Sequence, residues 1–152
     1  MKVFSTFERK MKIHTTNYIN TFIEVADDCP VEMGIVPLRK GQRVTAAIMQ
    51  YEMISENPYI FTSDDVIFSI FATKNNVSKA KREAERLAFF SKAHACFRAS
   101  PLCKQYGFGV HSDAEGRLAI FGMETEGYRA LMANEHIRKV KAMRSKRPPR
   151  IH

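Results

Sequence analysis

One segment constrains the fold more than any other part of the chain: Tyr106-Gly107-Phe108-Gly109-Val110-His111-Ser112-Asp113-Ala114-Glu115-Gly116-Arg117-Leu118-Ala119-Ile120-Phe121. Two apolar-rich runs flank a short polar stretch, which is the pattern of a β-hairpin. Asp113 at the first turn position and Gly116 three residues later predict a type I turn whose last residue is left-handed, giving a G1 bulge. That turn fixes the register. It sets Asp113 opposite Arg117, His111 opposite Ala119, Gly109 opposite Phe121 and Gly107 opposite Met123 on one surface. The other surface gathers Tyr106, Phe108, Val110, Leu118 and Ile120 and is the core side. The first surface is bare, with two glycines, a histidine and an acid.

Around this hairpin the chain reads as strand, helices, hairpin, helix and strand. Residues 18–26 alternate and are rich in β-branched and aromatic side chains, and Asp27-Asp28-Cys29-Pro30 ends them. A loop with Pro30, Gly34 and Pro37 runs to Gly41. Val44, Ala47, Ile48, Tyr51 and Ile54 recur at helical spacing and predict a helix over 43–56, stopped by Asn57-Pro58. Thr62-Ser63-Asp64-Asp65 places a cap and two acids at the start of a helix over 63–75. Ser78 opens a third, over 78–92, with a narrow apolar stripe of Ala80, Ala84, Leu87 and Ala88. After the strands at 106–112 and 117–123, residues 124–134 read as a short helix. Residues 137–144 read as a strand, although Ile137, Val140 and Arg144 also suit a helix. The expected class is α+β, an antiparallel sheet of about four strands with helices packed mainly on one face.

A chain of 152 residues fits one domain and buries roughly 70% of its unfolded surface, enough for a core without staples. Residues 1–10 read as an N-terminal extension, 11–147 as the domain and 148–152 as a basic tail. No apolar run approaches the ~18 residues of a membrane span, and the N-terminus lacks the apolar block of a secretory signal. The expected location is cytosolic, without a membrane partner. Cys29, Cys96 and Cys103 are odd in number and form no CxxC pair, so reduced thiols are expected and neither a disulfide framework nor a zinc site is signalled.

The net charge of +8 is unevenly placed. Arg138, Lys139, Lys141, Arg144, Lys146, Arg147 and Arg150 fall in the last 16 residues with no acid among them; the other 136 hold 17 basic and 16 acidic side chains, a net of +1. Such an end attracts nucleic acid or another anionic surface without sequence preference, and equally serves as a solubilising end, since no aromatic side chains interleave it for base stacking.

For chemistry, the bare hairpin surface is either a ligand floor or a seat for the chain's own packing, with Phe121 covering the gap at Gly109. If a ligand lies there, His111 is the nearest group able to exchange a proton near neutral pH, and Asp113 orients its ring. The alternative has Asp113 capping the turn and pairing with Arg117. His14 opens the polar cluster His14-Thr15-Thr16-Asn17, which suits local backbone bonds or ligand contacts. Arg98, in an otherwise apolar segment, either anchors an anion through its planar fork or pairs with Asp64 or Asp65. GxxxxGK[ST], GxGxxG, GxSxG and HExxH are absent, and no cofactor or metal is indicated.

Three segments, Met11 to Pro30, Asn57-Pro58-Tyr59 with Thr62 to Val66, and Arg98-Ala99-Ser100-Pro101-Leu102 with Tyr106 to Asp113, together resemble a family of small uncharacterised proteins, mostly bacterial, known as a domain of unknown function. The resemblance covers about residues 11–147 and includes Lys141 to Arg147. It implies Met11 as an original start and a basic end that belongs to the domain, and it supplies no activity, ligand or catalytic residue. The function expected is binding of a small polar or anionic ligand near His14, Arg98, His111 and Asp113, whether or not an enzyme. The alternatives are a nucleic-acid-associated protein using the basic C-terminus and an interaction module without catalysis.

Overall fold

The computed structural model describes residues 12–147. The extension over residues 1–10 and the tail over 148–152, Arg150 with it, lie outside the described residues. Four strands, β1 (Thr21–Glu24), β2 (Phe108–Ser112), β3 (Leu118–Gly122) and β4 (Arg138–Lys141), form one sheet in the order β3-β2-β1-β4. Five α-helices accompany them: α1 (Ala46–Glu56), α2 (Ser63–Lys74), α3 (Arg82–Phe89), α4 (Pro101–Lys104) and α5 (Glu126–Ala133). The α+β class, the four strands and the four expected helices are all present. The one-turn α4 and the 3₁₀ turn Phe97–Ala99 were not anticipated, because four or three residues carry no periodicity.

The hairpin has the register its turn dictates. Gly109 pairs with Phe121, His111 with Ala119 and Phe108 with Gly122, and the Asp113 N–H donates to the Arg117 carbonyl. Gly116 sits at φ +77°, the left-handed residue that closes the bulge. The sheet departs from expectation at β4, which pairs with β1 in parallel, Thr21 with Arg138 through Glu24 with Lys141. The cause is topological. α5 carries the chain from the end of β3 back across the sheet, so β4 sets off in the direction of β3, as parallel crossovers require.

Ile23, Val110, Leu118 and Ala142 meet Ile54, Val66, Ile70, Phe97 and Cys103 in the main core, so α1, α2 and the α4 region cover one face of the sheet. The Thr62 side chain accepts from the Asp65 N–H while the Asp65 carboxylate takes the Thr62 N–H, a complete capping box that starts α2 at the residue where the acids predict it. Ser78, by contrast, makes no side-chain cap; its segment begins as a 3₁₀ turn, Lys79–Lys81, before α3. Both sheet edges are blunted. Segment Tyr59–Thr62 lines the free side of β3 through bonds from the Tyr59 N–H to the Leu118 carbonyl and from the Leu118 N–H to the Phe61 carbonyl. β4 is lined by charged side chains.

Candidate functional site

The bare surface of the hairpin is filled by the chain itself. α5 lies over it. A Cβ at Gly109 would stand 2.7 Å from the Tyr128 ring and would run into Phe22. Those two rings meet edge to face with centroids 4.9 Å apart, and the Tyr128 hydroxyl accepts the Val25 N–H. Phe121 does not cover Gly109; it lies against Gly127, where a Cβ would approach its ring to 2.6 Å. Glycine on the strand seats an aromatic of the helix, and glycine on the helix seats an aromatic of the strand.

His111 lies beyond α5 on the same surface and is half-buried. Its Nδ1 is 2.8 Å from the Tyr59 hydroxyl, with the two rings edge to face. Tyr59, not Asp113, therefore orients the imidazole. Tyr59 holds a left-handed backbone, φ +58°, a conformation that costs a bulky residue about 1–2 kcal/mol, and its N–H is pinned to β3. Burial pushes the His111 pKa below its ordinary value, against an upward pull from Asp113. Burial, with Asp113 adding to it, pushes the Tyr59 hydroxyl up. The lowered pKa favours the neutral imidazole, which pairs with the Tyr59 hydroxyl as a donor–acceptor couple. Asp113 caps the turn, one carboxylate oxygen taking the N–H groups of Glu115 and Arg117 at 2.9 Å. The Arg117 guanidinium pairs with Glu115 at 3.3 Å, not with Asp113.

Arg98 makes neither of its expected acid pairs. Its Nε donates to the Lys141 carbonyl at 2.7 Å and its own carbonyl accepts the Met143 N–H, so it closes the outer edge of β4 and the chain just beyond it. The acids it was expected to meet are already engaged. Asp65 pairs with Arg86 at 2.9 Å; burial raises its pKa, but the Thr62 N–H and Arg86 outweigh this and hold the carboxyl below the usual range. Asp64 is buried and accepts the hydroxyls of Thr15 and Thr16 and the Thr16 N–H at 2.6–2.7 Å.

This Asp64 network is where the His14-Thr15-Thr16-Asn17 cluster goes. Asn17 also takes the Asp64 N–H at 2.9 Å, and the His14 N–H donates to the Phe90 carbonyl at 2.8 Å. Segment Ile13–Thr15 is thereby stapled between the start of α2 and the end of α3. Between it and α3 lies an open groove of about 700 Å³ lined by Ile13, His14, Thr15, Asp64, Ala80, Glu83, Ala84, Arg86, Leu87 and Phe90. The apolar stripe of α3 explains the groove. No residue of α3 is buried; Ala80, Ala84 and Leu87 line the groove floor and wall instead of entering the core, and Ile13 and Leu87 are more than half exposed. Polar groups stand at the same place. Arg86 lies 5.6 Å from the centre of the Phe90 ring and 5.8 Å from that of Phe68, so its guanidinium is held by cation–π contact and by Asp65.

The predicted site residues therefore do not share one set of neighbours. His111 meets Tyr59, Asp113 caps the hairpin turn, His14 lines the groove, and Arg98 closes the β4 edge. Sequence reading missed Tyr59, Arg86 and the α3 stripe as site components; the stripe was visible, and its failure to reach the core was the missing signal. Arg138, Lys139 and Lys141 belong to β4, where the Lys141 ammonium meets Asp27 at 2.6 Å and the Lys139 ammonium reaches the Asn134 carbonyl. Arg144, Lys146 and Arg147 follow as exposed residues. Of the three free thiols Cys103 is fully buried, which drives its pKa up, with Cys29 and Cys96 adding to the rise. Among the described residues no group of three or more His, Cys, Asp or Glu side chains is placed to hold a metal ion, and no helix is long and apolar enough to cross a membrane.

A family model described as "Family of unknown function (DUF6157)" matches residues 13–148. The match takes in every residue of the groove and of the Tyr59–His111 pair. Comparison with curated proteins and with solved structures gave no match.

Proposed function

We propose that this chain, which belongs to the family of unknown function DUF6157, binds a small molecule with an apolar body and an anionic or strongly polar head in the groove between Ile13–Thr15 and α3. The observation that carries this reading is the unburied apolar stripe: an amphipathic helix turns Ala84 and Leu87 toward a cavity of about 700 Å³ and not toward the core. A cavity of that size with a mostly apolar lining and a few convergent polar groups suits a small ligand. Ala80, Ala84, Leu87, Phe90 and Ile13 accept the apolar body. The head meets Arg86, whose guanidinium carries five N–H donors in a fixed fork, and the imidazole of His14. Asp64 takes no part in binding. Its carboxylate is satisfied by Thr15 and Thr16, and it serves to hold His14 at the rim. The Tyr59–His111 pair orients a neutral imidazole but is absent from the groove lining, which places it outside this function.

The probe for the test is anilinonaphthalene sulfonate, an anionic aromatic amphiphile of the stated class. Its fluorescence should rise on binding to the folded protein and fall back in Ala84→Phe, which fills an exposed position of the groove. Binding that persists unchanged in Ala84→Phe overturns the assignment.

A further inference from the structure

One end of the sheet carries an exposed apolar turn that the groove does not explain. β1, β3 and β4 finish there and β2 begins. The segment after β1 crosses this end with its backbone pinned: the Gly34 N–H donates to the Glu124 carboxylate, the Ile35 N–H to the Tyr106 carbonyl at 2.8 Å, and Pro37 is buried. Gly107, at φ +76°, leaves its Cβ space to the Met33 carbonyl. The side chains on this pinned backbone nevertheless point outward. Met33, Ile35, Val36 and Leu38 are all exposed, Leu38 at 79%.

Cations follow that strip in the chain and stand at the same end of the sheet. Immediately after Leu38, the chain reverses through a Lys40–Arg43 bridge with Gly41 at φ +66° and nothing within 4 Å of its Cβ position. Lys40 and Arg43 are exposed and form no ion pair among the described residues, while Arg39 meets Glu52 at 3.6 Å. At the same end, Asp28 accepts the N–H groups of Ser145 and Lys146, so the exposed Arg144, Lys146 and Arg147 leave the domain beside β1. The exposed Glu32 beside Met33 forms no ion pair among the described residues, whereas three other acids here are engaged. Asp27 pairs with Lys141, Asp28 holds backbone N–H groups and Glu124 holds Gly34.

We propose that this end of the domain docks on the surface of an anionic lipid bilayer, with Leu38, Val36, Ile35 and Met33 entering the acyl boundary and Lys40, Arg43 and the C-terminal cations meeting headgroup phosphates. Adjacent apolar side chains on an ordered turn, with unpaired cations at the same end of the sheet, match the two layers of such a surface. A nucleic acid would use the cations and leave Leu38 idle. The domain lies on the membrane and does not span it.

The test is co-sedimentation of the full chain with phosphatidylcholine vesicles and with phosphatidylcholine–phosphatidylglycerol vesicles. The chain pellets with the anionic vesicles, less at raised salt. Leu38→Ser weakens binding about tenfold and Lys40→Ser or Arg43→Ser about fivefold each. These exposed substitutions leave the thermal midpoint unchanged. Equal pelleting on neutral vesicles, no pelleting, or a Leu38→Ser protein that binds as before overturns the proposal. Salt-sensitive binding to random RNA that matches vesicle binding in strength and ignores Leu38→Ser also overturns it, in favour of nucleic acid.

Discussion

Tyr59, whose N–H is held by Leu118 on β3, sets its hydroxyl 2.8 Å from Nδ1 of His111 on the next strand. A loop residue thereby reaches over the sheet edge to fix a titratable group in the strand behind it. Because burial lowers the His111 pKa, the unfolded chain binds the proton more readily than the folded one. The stability this group contributes is complete above pH ~6.5 and is lost as the pH falls through the lowered folded pKa.

Thermal unfolding followed between pH 7.5 and 5 (roughly one unit above and one and a half below a free imidazole) should show a larger loss for the native chain than for His111→Gln. An NMR titration of His111 at or above the ordinary value would contradict this. Tyr59→Phe should cost about 1 kcal/mol, the net worth of one partly buried hydrogen bond.

Gly109 and Tyr128 give a packing prediction. A Cβ at Gly109 has no room between Phe22 and Tyr128, and both rings are anchored. Gly109→Ala should destabilise by about 1–3 kcal/mol, the range for forcing extra volume into a packed site, and denaturant unfolding measures it. A neutral result would mean that α5 does not rest on the sheet as described.

Asp64 is a buried acid whose removal leaves donors unpaired. Asp64→Ala strips partners from the Thr16 N–H and the hydroxyls of Thr15 and Thr16, and should cost about 2–3 kcal/mol. It should also release the Ile13–Thr15 wall, seen as faster amide exchange at His14 and Thr16.

Asp28 tethers the C-terminal segment. The Lys146 N–H, with that of Ser145, holds its carboxyl below the usual range, so the tether persists above the unfolded pKa and is lost as the pH falls through the folded one. Asp28→Asn should speed exchange of the Ser145 and Lys146 amides at neutral pH. Unchanged protection would remove the tether.

Local rules made much of this fold legible. The Asp113–Gly116 turn dictated the hairpin register residue by residue, because a bulge of fixed geometry leaves one pairing. The Thr62 box placed the start of α2 for a similar reason. What stayed hidden depended on distant segments. The parallel pairing of β4 follows from the path of α5 over the sheet, and no residue in 137–144 encodes it. The partner of Arg98 was misread because Thr15, Thr16 and Arg86 reach Asp64 and Asp65 first. The α3 stripe was legible as a stripe; only the packing shows that it faces a cavity.

The central claim is that the groove along α3 takes a small anionic amphiphile. A two-dimensional amide NMR map of the full chain titrated with anilinonaphthalene sulfonate tests it directly. Saturable shifts should concentrate at His14, Ala84, Arg86 and Leu87 and leave the His111 and Asp113 amides in place. Shifts confined to other surfaces, or none at saturating probe, would contradict the account.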